Sequence, residues 1–227
     1  MAKNTNTDNF NPNDIGNADN NIFGLPFSPS DASLVIIPVP WEVTVSYSAG
    51  TAKGPEAVYE ASYQVDLYDP FVKDAWKLGV AMMPVDTEIK QTSKRLRKKA
   101  EKYIDMYALG KTSSKNSEMK AIKKEVDTAC KELNAYVKKT ALKQLNKNKV
   151  VALLGGDHST PLGLMQALAE KNESFAILQI DAHADLRDAY EGFEFSHASI
   201  MFNALKIPQV SQLVQVGIRD YCEDSWN

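Results

Sequence analysis

Two apolar runs, Val150–Leu154 and Phe175–Ile180, lie one short helix apart, and each breaks off into a polar segment rich in glycine or aspartate. Apolar runs of this length bounded by turn formers read as strands. The stretch between them, Pro161–Lys171, opens on proline and continues as a helical body. Parallel neighbours require such a crossover, so this part of the chain is confined to a parallel sheet with helices packed on its faces. Uninterrupted apolar runs further imply strands covered on both sides. Apolar runs at Ser33–Pro38, Leu78–Met83 and Leu213–Val216 extend the pattern. The expected fold is α/β, three layers (α/β/α) around a mostly parallel sheet.

The remaining segments fit around that sheet. Met1–Asn21 is crowded with Asn and Asp and holds little that can pack, so a mobile tail is expected there, with one domain over residues 22–227. A loop at Val39–Gly54 leads to Pro55, well placed at the first position of a helix running through Glu56 to about Leu67. Ser93–Asn146 is helical with a break at Gly110–Ser117. Its second half carries one apolar stripe of Ile122, Val126, Ala129, Leu133 and Val137. The region from Lys90 to Lys149 is lysine-rich although the chain has a net charge of -3. Without interleaved aromatics or a binding motif, those lysines read as solvated helix faces, and no nucleic-acid partner is expected. Cys130 and Cys222 are too few for a disulfide framework and match no zinc spacing. No apolar run approaches the roughly 20 residues of a membrane span, and the N-terminus lacks the pattern of a signal peptide. A cytoplasmic protein without a membrane partner is expected.

The chain has three histidines, and all fall within one forty-residue stretch. His158 lies in Gly155-Gly156-Asp157-His158-Ser159, His183 in Asp181-Ala182-His183-Ala184-Asp185, and His197 in Ser196-His197-Ala198-Ser199. The first two groups each follow a strand directly, so both project from the carboxyl edge of the sheet, where ligands bind in such folds. Asp181, His183 and Asp185 alternate, and an extended backbone sends all three side chains one way. Taken singly, Gly155-Gly156 is a tight turn with Asp157 or Ser159 capping the next helix, and the Asp-x-His-x-Asp run is a polar loop. Together they crowd carboxylates and imidazoles around one edge, which is costly without a cation. Mixed nitrogen and oxygen donors suit a divalent metal.

These three groups, in this order and spacing, resemble the first three signatures of the ureohydrolase family, which includes arginase, agmatinase and formimidoylglutamase. Gly50-Thr51-Ala52-Lys53-Gly54-Pro55 is similar to the family's early loop and helix start, and Val216-Gly217-Ile218-Arg219 to a later strand end. The resemblance covers roughly Leu34 to Asp220, apart from the lysine-rich helices. It implies an arginase-like fold, a homo-oligomer, and a pair of Mn²⁺ ions held by His158, Asp181 and Asp185 with Asp181 bridging to a second ion on His183. It also implies that metal-activated water attacks the carbon of a guanidino substrate, giving urea and an amine, while His197 shuttles a proton.

The family's later Ser-x-Asp-x-Asp motif, and the glutamate that holds the guanidino group, have no counterpart here. Asp220, Glu223 and Asp224 lack the spacing. The expectation is therefore the N-terminal part of a longer enzyme, which alone binds Mn²⁺ weakly, aggregates and releases no urea, with an unpaired strand or a gap in its sheet. Within the family, Asp185-Leu186-Arg187-Asp188-Ala189-Tyr190-Glu191-Gly192 resembles agmatinases more than arginases. Arg187 also fits a formimidoylglutamase, against which His197 argues. Pro40-Trp41-Glu42 keeps open a guanidine hydrolase, a relative that can use Ni²⁺, with Trp41 narrowing the pocket. Two other classes are a dinuclear metallophosphoesterase, which shares an Asp-x-His motif, and a non-catalytic homologue.

Overall fold

The computed structural model describes residues 7 and 9–223. The apolar runs form β1 (Leu34–Val39), β2 (Val80–Met82), β3 (Val150–Gly155), β4 (Phe175–Ile180) and β5 (Val210–Val216). Every registered strand pair is parallel, in the orders β2-β1-β3 and β4-β5. β5 begins three residues before the expected Leu213, because Ser211 and Gln212 interrupt the apolar run while the backbone already pairs Val210 with Phe175. The sheet is open between β3 and β4, which share no ladder. The cover expected on both faces of the sheet does not extend over all of β4 and β5. On β4 only alternate residues are covered, leaving Leu178 64 % and Ile180 79 % exposed beside Val214 and Val216 of β5. No described element packs on that side.

Helices α1 (Gly54–Ala61), α2 (Thr87–Ala108), α3 (Ser117–Leu145), α4 (Leu162–Ala169) and α5 (Ile200–Ala204) complete the fold. α1 stops well short of Leu67 and tightens into a 3₁₀ turn at Ser62–Gln64. The cause is Ser62, whose hydroxyl donates back to the Tyr59 carbonyl at 2.6 Å and accepts from the Phe23 N–H at 2.8 Å. Such a side chain offers the backbone an alternative to the helical ladder. α2 starts before Ser93, because Asp86 caps it by accepting from the N–H groups of Glu88 and Ile89.

The lysine-rich pair, α2 and α3, supplies most of the largest buried cluster. Leu96, Ala100 and Tyr103 of α2 and Ile122, Val126, Leu133 and Val137 of α3 are buried against Ile37 and Val39 of β1 and against Trp41. Full burial of each large aliphatic side chain contributes about 1.5–3 kcal/mol. Outward lysines pair with acids, as in Lys99–Glu125 and Lys102–Glu118; exposed pairs of this kind add roughly 0–1 kcal/mol. Packing, not charge, holds these helices down. Asn116 starts α3 by accepting from the Met119 N–H at 3.1 Å. Asn116→Ala is expected to lower stability by about 1 kcal/mol, read as a shifted urea midpoint at constant slope.

Within the stretch expected to be a mobile tail, the Phe10 ring lies 4.9 Å from that of Trp76. The Asn21 amide accepts from Met82 N–H at 2.8 Å and donates to the Met82 carbonyl at 3.2 Å, extending the edge of β2. Among the described residues no helix is long and apolar enough to cross a membrane.

Candidate active site

β3 delivers the chain to a turn that wraps tightly over the Trp41 backbone. The Gly156 N–H donates to the Val39 carbonyl at 3.0 Å, and the Asp157 N–H to that of Trp41 at 2.8 Å. A Cβ on Gly156 would stand 1.9 Å from the Trp41 oxygen, so this approach requires glycine. Asp157 turns inward and accepts from both the backbone N–H and the hydroxyl of Ser159. Neither Asp157 nor Ser159 caps the helix that follows; Pro161 precedes α4 with no side-chain cap. The second Asp157 oxygen is buried without a hydrogen-bond partner among the described residues. Burial pushes this carboxyl's pKa up against the opposing Ser159 hydrogen bonds.

The next residue of the turn meets two carboxylates from the segment after β4. His158 Nδ1 lies 2.6 Å from Asp185 Oδ2 and 3.0 Å from Asp181 Oδ2. One donor atom from each of the three residues falls within 4.8 Å of the others. Asp185 reaches this cluster by a route that alternation along an extended strand does not describe. Its backbone is left-handed, with φ 54°, and its carbonyl accepts from the N–H groups of Met201 and Phe202 at the start of α5. A non-glycine residue in that region is held there by its surroundings. Burial opposes a charge on His158, yet the Asp185 hydrogen bond and the charges of Asp185, Asp181 and Asp157 outweigh it and raise the pKa. Burial likewise opposes ionisation of Asp181, but the His183 backbone N–H and the Gln179 amide bind its carboxylate and hold the pKa down.

His183 stands apart from these three. Its Nδ1 is 3.7 Å from Asp181 Oδ1, its Nε2 is 3.7 Å from Asp220 Oδ2, and its side chain is 60 % exposed. Asp181 thus has one oxygen toward His158 and the other toward His183. Asp220 is brought there by backbone pairing, its N–H and that of Arg219 both donating to the Ala182 carbonyl. Sequence spacing had set Asp220 aside; only the chain crossing after β5 places it beside His183.

A cleft of about 540 Å³ opens over the cluster, lined by His158, His183, Asp185, His197, Arg187 and Tyr190 among others. His197 occupies its wall at the start of a 3₁₀ turn, donating from Nδ1 to the Thr44 carbonyl at 3.1 Å. The Tyr190 ring meets the imidazole edge-on, with centroids 6.0 Å apart. Val45, Ser46 and Tyr47 also line the cleft. Trp41 does not narrow this cleft. Its side chain is 2 % exposed in the core with α2 and α3, and only its backbone serves the site.

The chemistry of this donor set, one imidazole and two carboxylates at the ends of parallel strands, fits a divalent cation. Comparison with known proteins agrees with the architecture. The sequence matches the model of the Arginase family over residues 32–227. The chain belongs to the arginase family. It is 31% identical over 205 residues to an N(1)-aminopropylagmatine ureohydrolase of Thermus thermophilus, covering 90% of this chain and 57% of the relative. It is 25% identical to an agmatinase of Bacillus cereus over 83% of this chain and 53% of that one. Among solved structures, an agmatine ureohydrolase of Thermoplasma volcanium superposes with a TM-score of 0.63 at 19% identity, covering 88% of this chain and 55% of the other. That likeness establishes the arginase-like α/β fold. This arginase-family chain spans a little over half the length of the curated relatives it matches.

Proposed function

We propose that this arginase-family chain carries the metal-binding half of a ureohydrolase that cleaves a guanidino compound to urea and an amine. The observation that carries the reading is the convergence of His158, Asp181 and Asp185 beneath a cleft with His197 on its wall. His158, Asp181 and Asp185 would hold one Mn²⁺, and Asp181 with His183 would share a second. Bound there, divalent cations supply a nucleophile at neutral pH by acidifying water. The residues do the rest. The carboxylates of Asp185 and Asp220 line the cleft and that of Asp181 belongs to the cluster beneath it, an arrangement that favours a cationic guanidinium. With its Nδ1–H committed to Thr44, a neutral His197 keeps a lone pair on Nε2, suited to accept and return a proton.

The names of the relatives support an agmatine-like substrate bearing an amine at its far end. The guanidine hydrolase alternative loses the support it drew from Trp41, which lies in the core. The test is urea release by the protein that carries this sequence, loaded with Mn²⁺ and offered agmatine, N(1)-aminopropylagmatine and free guanidine in parallel. Urea from the first two, well above that from guanidine, is the expected result. Phosphoester hydrolysis with no urea from any guanidino compound overturns the proposal.

A further inference from the structure

The lysine-rich helix α2 sends one cation inward. Arg97 has a side chain only 11% exposed, and its Nη1 donates to the carbonyls of Val43 and Val45. Its Nε donates to Glu101 Oε1 at 3.0 Å on the same helix, which fixes the plane of the guanidinium. The carbonyl between the two it grips is that of Thr44, and this is the group that accepts from His197 Nδ1. A carbonyl oxygen can only accept, so the Thr44 contact favours the proton on Nδ1 of the neutral ring; the Ser196 hydroxyl, 3.3 Å from the same nitrogen, can donate or accept and fits either tautomer.

A second loop touches His197. In it Glu191 has an inward oxygen with no hydrogen-bond partner among the described residues, and burial raises the pKa of its carboxyl although the charge of Arg97 opposes this. The backbone there is left-handed at Ala189, Glu191 and Gly192, so it is held by its surroundings. Between these residues sits Tyr190, whose ring meets His197 edge-on. The guanidinium thus holds by hydrogen bonds the backbone on either side of the carbonyl that meets His197 Nδ1.

We infer that Arg97 is a positioning residue for His197, clamping Val43–Val45 so that the Thr44 carbonyl selects the Nδ1–H tautomer. The catalytic value of this clamp rests on the proposed role of His197 in proton transfer; the tautomer itself does not. Arg97 lies outside every motif that singles out the site.

The experiment is ¹⁵N NMR of the histidine rings in the 227-residue protein, where three histidines make the spectrum assignable. In the unaltered chain His197 is expected to show a protonated Nδ1 and an unprotonated Nε2. Arg97→Met should move His197 toward a mixture of tautomers while His158 and His183 keep their shifts. Arg97→Lys keeps the charge but loses the planar fork whose orientation the Nε–Glu101 hydrogen bond fixes, so an intermediate shift is expected. In the longer Mn²⁺-loaded protein that carries this sequence, kcat should fall about tenfold in Arg97→Met with KM little changed, within the range of general acid–base effects. A folded Arg97→Lys variant with unaltered His197 shifts overturns the inference, even if Arg97→Met fails to fold. Equal movement of all three histidines overturns it too, since that reports general loosening. Absence of urea release from the longer protein that carries this sequence would count against the proposed function and leave the NMR result decisive for the clamp.

Discussion

Asp181→Asn is expected to weaken divalent-cation binding by more than about a hundredfold, beyond the roughly 10–100-fold that follows loss of an outer-shell partner. The residue contributes charge at the centre of the cluster. Its Oδ2 lies 3.0 Å from His158 Nδ1, its Oδ1 accepts from the His183 N–H at 2.9 Å, and Gln179 donates to Oδ2 at 3.3 Å. These donors keep the carboxylate ionised although burial opposes it, so at neutral pH it stands ready as an anionic ligand. Asparagine keeps the shape and loses the charge. Its amide nitrogen would also present donors where a metal requires an acceptor. Urea release should fall at least as far as affinity. Calorimetric titration with Mn²⁺ measures the first effect and an ammonia-coupled urea assay the second. An Asp181→Asn protein that binds Mn²⁺ as tightly as the unaltered one would remove Asp181 from the proposed centre.

Gly156→Ala should cost about 3 kcal/mol or more of folding stability, a large loss for one added methyl group. The new Cβ would meet backbone, standing 1.9 Å from the Trp41 oxygen and 2.8 Å from its carbonyl carbon. A flexible side chain could swing aside, but a main-chain carbonyl cannot do so alone. That oxygen accepts the Asp157 N–H, so relief of the clash strands a donor and an acceptor in the interior. Any shift also carries His158 away from Asp181 and Asp185, so metal affinity should fall alongside stability. Urea denaturation followed by circular dichroism gives the first number. A loss below about 1 kcal/mol, ordinary for a point substitution, would show that the turn relaxes where the close approach implies that it cannot.

How far the sequence was legible depended on the range of the physics involved. Strands such as Phe175–Ile180 stood out because an unbroken apolar run is a local signal of burial. α3 was legible from its stripe, since helical periodicity places Ile122, Val126, Leu133 and Val137 on one face wherever the helix packs. The end of α1 was not, because Ser62 acts through Phe23, which is distant in sequence. Trp41 was misread for a similar reason. Val45 to Tyr47, a few residues on, line the cleft, but the Trp41 indole packs with β1, α2 and α3 in a space that no local pattern marks.

By itself, the sequence determined which residues can bind a cation and the order in which parallel strands bring them up, since ligand chemistry is a property of side-chain type and strand ends follow apolar runs. The tertiary structure decided the rest. It selected His158, Asp181 and Asp185 as the converging set, through a left-handed turn at Asp185 that alternation cannot foresee. It set His183 beside Asp220 through a backbone bridge. It also turned Arg97, one cation among many on a lysine-rich helix, inward to the carbonyls beside His197. The reason is common to all three. Hydrogen bonds between residues far apart in sequence depend on how elements pack, and packing is a cooperative property of the whole core that no single segment encodes.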